Sequence, residues 1–231
     1  MADIEYQKQL INYFKNFVTE ERIKRFDAVI KNRTRHITIA LEDIYQSHNT
    51  SAVLRTCDCF GIQDVHIIEN KNKYSVNPDI ALGSSKWLNI YEYNSHENNT
   101  LDCINKLKEK GYKVFATSPH ADALEISEIN LNQKITLLFG TEKEGLSEIA
   151  LKNADEHVKI PMYGFTESFN ISVSAALSLF YLTEKLRHSD INWRLNEDDI
   201  NPILIEWYKN TIKDADLLEH RFLSGKSKLI K

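Results

Sequence analysis

Gly140 and Gly145 stand five positions apart between an apolar run, "LLF", and the helix-forming stretch "SEIALKNA". This is the glycine spacing of a phosphate-binding P-loop, which requires Lys and then Ser or Thr after its second glycine. Here Leu146 and Ser147 follow, and the loop itself carries Glu142 and Glu144. Two carboxylates repel phosphate, and Lys143 between them is in the wrong place for a P-loop lysine. The loop is better suited to close backbone contact with something uncharged or positive, with the glycines permitting a tight turn.

Two further stretches concentrate polar chemistry. In "IPMYGFTESFNISVSAAL" (160–177), Thr166, Glu167, Ser168 and Asn170 crowd the approach to an apolar helix. Capping by Ser168 or Asn170 accounts for one of them; polar clusters on a loop beside a rigid element often form sites. In "SHNTSAVLRTCDCFGI" (47–62), Asn49, Arg55 and Asp58 surround one helix. Asn49 suits an N-cap, and Arg55 either lies along the helix side, pairs with Asp58 at i+3, or belongs to a site. The histidines show no H-x-x-x-H spacing, so no metal is expected, and no G-x-S-x-G elbow occurs. Cys57, Cys59 and Cys103 form no C-x-x-C and read as reduced thiols packed on or under helices.

The elements that must position these residues follow from periodicity. Residues 2–18 and 19–36 read as a helical pair, with Thr19 capping the second helix. Strands are expected at 36–41, 64–69, 112–117, 134–139 and 156–161. Helices are expected at 49–61, 100–111, 147–154 and 170–187. This alternation predicts an α/β fold, a mostly parallel sheet with helices on both faces. Residues 170–187 are small or apolar nearly all round, which predicts a buried helix. Residues 196–223 keep helical spacing and read as a C-terminal helical extension.

The chain has 231 residues, 42% hydrophobic and 27% charged, an ordinary globular composition. No apolar run approaches the roughly 20 residues a membrane span needs, and the first ten residues lack a signal-peptide core. A cytoplasmic protein is expected. The net charge of −4 argues against nucleic acid, but its distribution does not. Residues 22–36 hold Arg22, Lys24, Arg25, Lys31, Arg33 and Arg35 against Asp27 alone, and residues 220–231 hold four basic residues and no acid. Such local patches are what a phosphate backbone meets.

Taken in order, "NTSAVLRTCDCFGI", "LLFGTEKEGLSEIALKNADEHVKIPM" and "GFTESFNISVSAALSLF" resemble the three motifs of the SpoU-type RNA 2′-O-ribose methyltransferases of the SPOUT superfamily. The resemblance spans about residues 36–188. The terminal extensions and "DIALGSSKWLNI" (79–90) look most like the branch that methylates a guanosine in the tRNA D-loop. It implies a deep trefoil knot near 137–187, an N-terminal tRNA-binding extension (1–36), a methyltransferase domain (37–188) and a C-terminal extension (189–231). It also implies S-adenosylmethionine as cofactor, tRNA as partner, and a homodimer. By resemblance the catalytic set is Arg55, Asn49, Glu142, Ser168 and Asn170. The cofactor contacts are Thr117, Gly140, Ile160 and Phe169, the last a position where relatives often have Leu. A ribosomal-RNA methyltransferase of the same family and a non-catalytic RNA-binding member are the alternatives.

Overall fold

The computed structural model describes residues 2–75, 77–119 and 122–227. The chain divides into two compact units, one formed by residues 34–193 and the other by residues 1–33 together with 194–231.

The larger unit is built on a seven-stranded sheet whose described pairings are all parallel, in the order β3-β2-β1-β6-β4-β7-β5. The strands are β1 (Ile37–Glu42), β2 (Asp64–Ile68), β3 (Asn89–Tyr93), β4 (Tyr112–Thr117), β5 (Leu124–Glu125), β6 (Lys134–Phe139) and β7 (Glu156–Lys159). Every residue of β1 is buried, as a central parallel strand covered on both faces requires. Alternate side chains serve opposite faces. Ile37, Ile39 and Leu41 pack with Val53, Leu54 and Cys57 of α3 (Ser47–Phe60) and with Leu179 and Leu182 of α7 (Ile171–Arg187). Ala40, Val114 and Leu138 pack with Ile104 and Leu107 of α5 (Asn99–Glu109) and Ala150 of α6 (Glu148–Asn153). Between β2 and β3 lies a short helix, α4 (Pro78–Ala81).

Helix α7 differs from its expectation. Ala175, Leu179, Leu182 and Leu186 are buried, but Val173, Leu177, Phe180 and Tyr181 on the other side are exposed, Phe180 by 57%. All-round apolarity here reflects one face in the core and a second that the unit leaves uncovered.

The smaller unit comprises α1 (Ala2–Phe14), α2 (Glu20–Ile30), α8 (Glu197–Lys209) and α9 (Ala215–Ser227). Thr19 caps α2, its hydroxyl accepting from the Arg22 N–H at 3.3 Å. The helical spacing of 196–223 resolves into two helices, because Asp214 turns the chain in the left-handed region at φ 57°. Phe14, Phe26, Trp207 and Tyr208 form the aromatic core of this unit, with ring centroids 5.1–6.2 Å apart in the contacting pairs. Of the C-terminal basic run, residues 228–231 lie outside the described residues.

Candidate active site

The glycine loop leaves β6 and folds back on itself. Thr141 and Gly145 exchange both backbone hydrogen bonds, at 2.9 and 3.0 Å, closing Glu142, Lys143 and Glu144 into a tight loop. The two glycines answer different demands. Gly145 sits at φ 69°, where a side chain is strained. Gly140 has no such constraint, but a Cβ there would lie 2.2 Å from the Gly145 carbonyl carbon, so the backbones approach too closely for any side chain.

This loop brings Glu142 to the start of α3 and α7. The helix α3 begins at Ser47, two residues earlier than expected, so Asn49 is not its cap but lies inside the first turn, buried. The Asn49 Nδ2 donates to Gln46 Oε1 at 3.0 Å and to Glu142 Oε1 in a short bond. Asn170 caps α7, its Oδ1 accepting from the Ser172 N–H at 2.8 Å and from the Ser172 hydroxyl at 2.6 Å. Its Nδ2 donates to Asn49 Oδ1 at 3.1 Å and to Glu142 Oε1 at 3.0 Å. One asparagine thus ends a helix with its oxygen and joins the cluster with its nitrogen. Asn49, Glu142 and Asn170, one from each of the three singled-out stretches, form a closed triangle.

Arg55 lies farther along α3, exposed, and neither the Asp58 pairing nor any other hydrogen bond or ion pair is described for it. Ser168 is exposed in the loop before α7 and does not join the triangle. Thr117 ends β4, and Gly140 and Ile160 directly follow β6 and β7, three strands that lie side by side. The Thr117 hydroxyl donates to the Leu138 carbonyl at 2.7 Å, two residues before Gly140. Thr117 pairs with Val158, two residues before Ile160. Phe169 is 42% exposed beside Asn170. These positions offer backbone groups at strand ends and no cationic side chain. That donor set fits a nucleoside-bearing ligand with a positive centre and not a polyphosphate.

Next to the triangle, a cleft of about 670 Å³ opens between the loops that follow β1 and β6. The chain progresses outward from these two adjacent strands in opposite directions, β1 to β2 and β6 toward β7, which makes this the crevice where parallel sheets usually bind ligands. Sequence reasoning missed the two residues that shape it. Glu42, buried at the end of β1, accepts from the Ser147 N–H and Ser147 hydroxyl, both at 2.7 Å, and from the Thr100 hydroxyl at 2.5 Å. Ser147 in turn caps α6, accepting from the Ala150 N–H at 3.1 Å. Asp43, at φ 53°, collects the backbone N–H groups of Asn70, Lys71 and Asn72 on Oδ1 at 2.7, 2.8 and 3.2 Å. The only hint in the sequence is that a run of apolar β-branched residues, "ITIA", ends on acids, "LED".

The basic stretch divides in two. Arg22, Lys24, Arg25 and Lys31 are exposed. Arg33, expected to face nucleic acid, is instead buried with its guanidinium 5.4 Å from the Trp207 ring centroid. Arg35 pairs with Asp64 at 3.0 Å. Burial raises the Asp64 carboxyl above its ordinary range while Arg35 opposes that rise, so this arginine neutralises an interior acid. Elsewhere His66 in β2 is held neutral: burial, then repulsion from Lys110, lower it to about 3, and its Nδ1 lies 3.0 Å from the Tyr93 hydroxyl. Burial pushes the thiol of Cys103 up, and none of the three cysteines is in a disulfide. No cluster of metal-binding side chains occurs among the described residues, and no described helix is long and apolar enough to cross a membrane.

Residues 36–180 match the model of the SpoU rRNA Methylase family. The chain is 41% identical over 210 residues to the tRNA (guanosine(18)-2′-O)-methyltransferase of Borreliella burgdorferi, covering 91% of this chain and 94% of that protein. It is 34% identical over 194 residues to the enzyme of the same name from Thermus thermophilus, covering 83% of this chain and 97% of that protein. Among solved structures, the A. aeolicus TrmH/SpoU tRNA modifying enzyme superposes with a TM-score of 0.73 at 28% identity, covering 84% of this chain and 98% of its own.

Proposed function

The chain belongs to the SpoU rRNA Methylase family, and we propose that it transfers a methyl group from S-adenosylmethionine to the 2′-oxygen of guanosine 18 in tRNA. The observation that carries the choice of tRNA over ribosomal RNA is the extent of the match. Similarity to the Borreliella burgdorferi tRNA enzyme runs over 210 residues, beyond the 36–180 core that the family model covers and into the terminal segments.

The cofactor supplies an already activated methyl group on a sulfonium, so the protein's task is to orient the ribose hydroxyl and manage its charge. Thr117, Gly140, Ile160 and Phe169 would hold the cofactor, largely through backbone groups. Glu142 accepts from both Asn49 and Asn170; its charge fixes these two amides in one orientation beside the reacting ribose. Arg55 offers a guanidinium, a poor base and a good hydrogen-bonding partner for the developing alkoxide and the neighbouring substrate phosphate. Ser168, exposed before the Asn170 cap, is available to the substrate.

The exposed Arg22, Lys24, Arg25 and Lys31 suit salt-sensitive contact with the tRNA backbone. The uncovered face of α7, with Val173, Leu177, Phe180 and Tyr181, suits a homodimer interface, and the region near residues 137–187 suits the trefoil knot of the superfamily. A cytoplasmic location, where tRNA is modified, completes the reading.

The deciding experiment incubates the purified protein with S-adenosylmethionine and either unmodified tRNA or ribosomal RNA, then maps ribose methylation. The expected result is methylation at guanosine 18 of tRNA. Methylation confined to ribosomal RNA, or S-adenosylmethionine binding with no transfer, overturns it.

A further inference from the structure

We propose that the cleft between the β1 and β6 loops receives the base of the target nucleotide, with Tyr45 as its stacking platform and Glu144 as the acceptor that reads the base edge. This rests on the methyl-transfer reading above and adds to it the pocket that selects the nucleoside.

Geometry comes first. In a nucleoside the base is attached to C1′, the neighbour of the C2′ that bears the reacting oxygen, so a base pocket must begin beside the groups that hold the ribose. The cleft does: Gln46 and Glu142 line its wall, and both accept from the Asn49 amide. Its volume of about 670 Å³ accommodates a nucleoside, within the range usual for small-ligand pockets.

The walls are also fixed in advance. Two consecutive carboxylates at the end of β1 clamp opposite sides. Glu42 grips the loop after β6 through Ser147, while Asp43 grips the loop after β2 through three backbone N–H groups. Asp43 does this from a left-handed backbone that few aspartates adopt. The Asn70 side chain ties the two clamps together, donating to the Thr100 hydroxyl at 2.8 Å, which itself donates to Glu42. A cleft held open by buried hydrogen-bonded acids is a preorganised site.

The open surfaces supply the recognition chemistry. Tyr45, the second residue after the clamp, lines the cleft and is 80% exposed. An exposed aromatic ring at the mouth of a pocket is what unstacked bases bind. Glu144 faces Lys71 across the cleft at 3.5 Å, with both side chains about three-quarters exposed. A pair so exposed is weak and can exchange for a ligand. Carboxylates only accept hydrogen bonds, so this wall favours a base edge rich in donors, such as the N1–H and N2–H₂ of guanine.

Because Tyr45 and Glu144 are exposed, Tyr45→Ala, Tyr45→Phe and Glu144→Gln leave the fold intact. The test measures tRNA methylation and S-adenosylmethionine affinity for the wild type and each variant. We expect Tyr45→Ala and Glu144→Gln each to lower kcat/KM for tRNA by about tenfold or more, the scale of a lost base stack or base-edge contact. Tyr45→Phe keeps the stack and stays within about twofold of wild type, and cofactor affinity is unchanged throughout. If the wild type methylates tRNA and both disruptive variants match it, the base pocket is overturned while the function stands. If the wild type binds cofactor and methylates no tRNA, both fall.

Discussion

Asn49 and Asn170 lie 121 positions apart in the chain and are joined by a hydrogen bond of 3.1 Å, with Glu142 accepting from both. The contact ties the first turn of α3 to the cap of α7 through a loop from β6. Asn49→Ala and Asn170→Ala should therefore be non-additive. Each single variant leaves Glu142 short of a donor, and a double-mutant cycle in denaturant unfolding should show coupling of about 1 kcal/mol. Additive effects would mean the triangle is not a unit. Both single variants should also lower methylation more than they lower cofactor affinity.

Arg55 is exposed, with no hydrogen bond or ion pair described for it, which is the condition of a group waiting for substrate. Arg55→Ala should keep S-adenosylmethionine binding and thermal stability near wild type while abolishing methylation. Near-normal turnover in that variant would remove Arg55 from the site.

Gly140→Ala places a methyl group 2.2 Å from the Gly145 carbonyl carbon, so the loop must open. Cofactor affinity should fall by about tenfold or more, because backbone positions set by that loop move. Gly164→Ala is the matched control: nothing lies within 4 Å of its Cβ, and stability should stay within about 0.5 kcal/mol.

His66 gives the fold a pH dependence with a definite sign. Its folded pKa of about 3 lies below the ordinary 6.5, so the unfolded chain binds the extra proton between these values. The stabilisation from keeping His66 neutral is complete above pH 6.5 and is lost as pH falls toward 3, at up to about 1.4 kcal/mol per pH unit. His66→Phe should show a smaller drop in unfolding free energy between pH 7 and pH 5 than wild type. Parallel pH profiles for the two would contradict the assignment.

The basic residues of the N-terminal segment should separate by experiment as they do by burial. Replacing Arg22, Lys24, Arg25 and Lys31 together with Ala should weaken tRNA binding and flatten its salt dependence, with little change in stability. Arg33→Ala should do the reverse, costing about 2 kcal/mol or more of stability through the lost Trp207 stack and burial. Equal loss of tRNA affinity from both would place Arg33 on the binding face.

Periodicity alone recovered the central strands: 112–117 and 134–139 are expected and observed with the same bounds. These are continuous apolar runs ended by glycine or polar residues, the clearest signal a buried parallel strand gives. β3 was not legible because "NIYEY" is half exposed and carries Asn89 and Glu92. The triangle was approached through the three stretches, but nothing in their spacing says that Asn49, Glu142 and Asn170 meet; that depends on how the sheet orders β1 and β6. Glu42 and Asp43 left no more than the hint of acids ending an apolar run, for a related reason. Their partners are at positions 100, 147 and 70–72, and a carboxylate advertises neither its burial nor its distant donors. Arg33 and Arg35 misled because a charge run looks the same in sequence whether its members face water, an indole ring or an interior acid.

The placement of β6 has a consequence for how the chain is born. β1 pairs with β6 in register from Ile37 against Ile135, so one edge of the earliest strand stays unpaired until nearly a hundred further residues have left the ribosome. Pairings that distant in sequence form slowly, and an open apolar edge is a template for wrong partners while it waits. The open edge is therefore the chain's most exposed point during synthesis, and its yield in cells should respond to translation speed between β1 and β6 more than anywhere else in the gene.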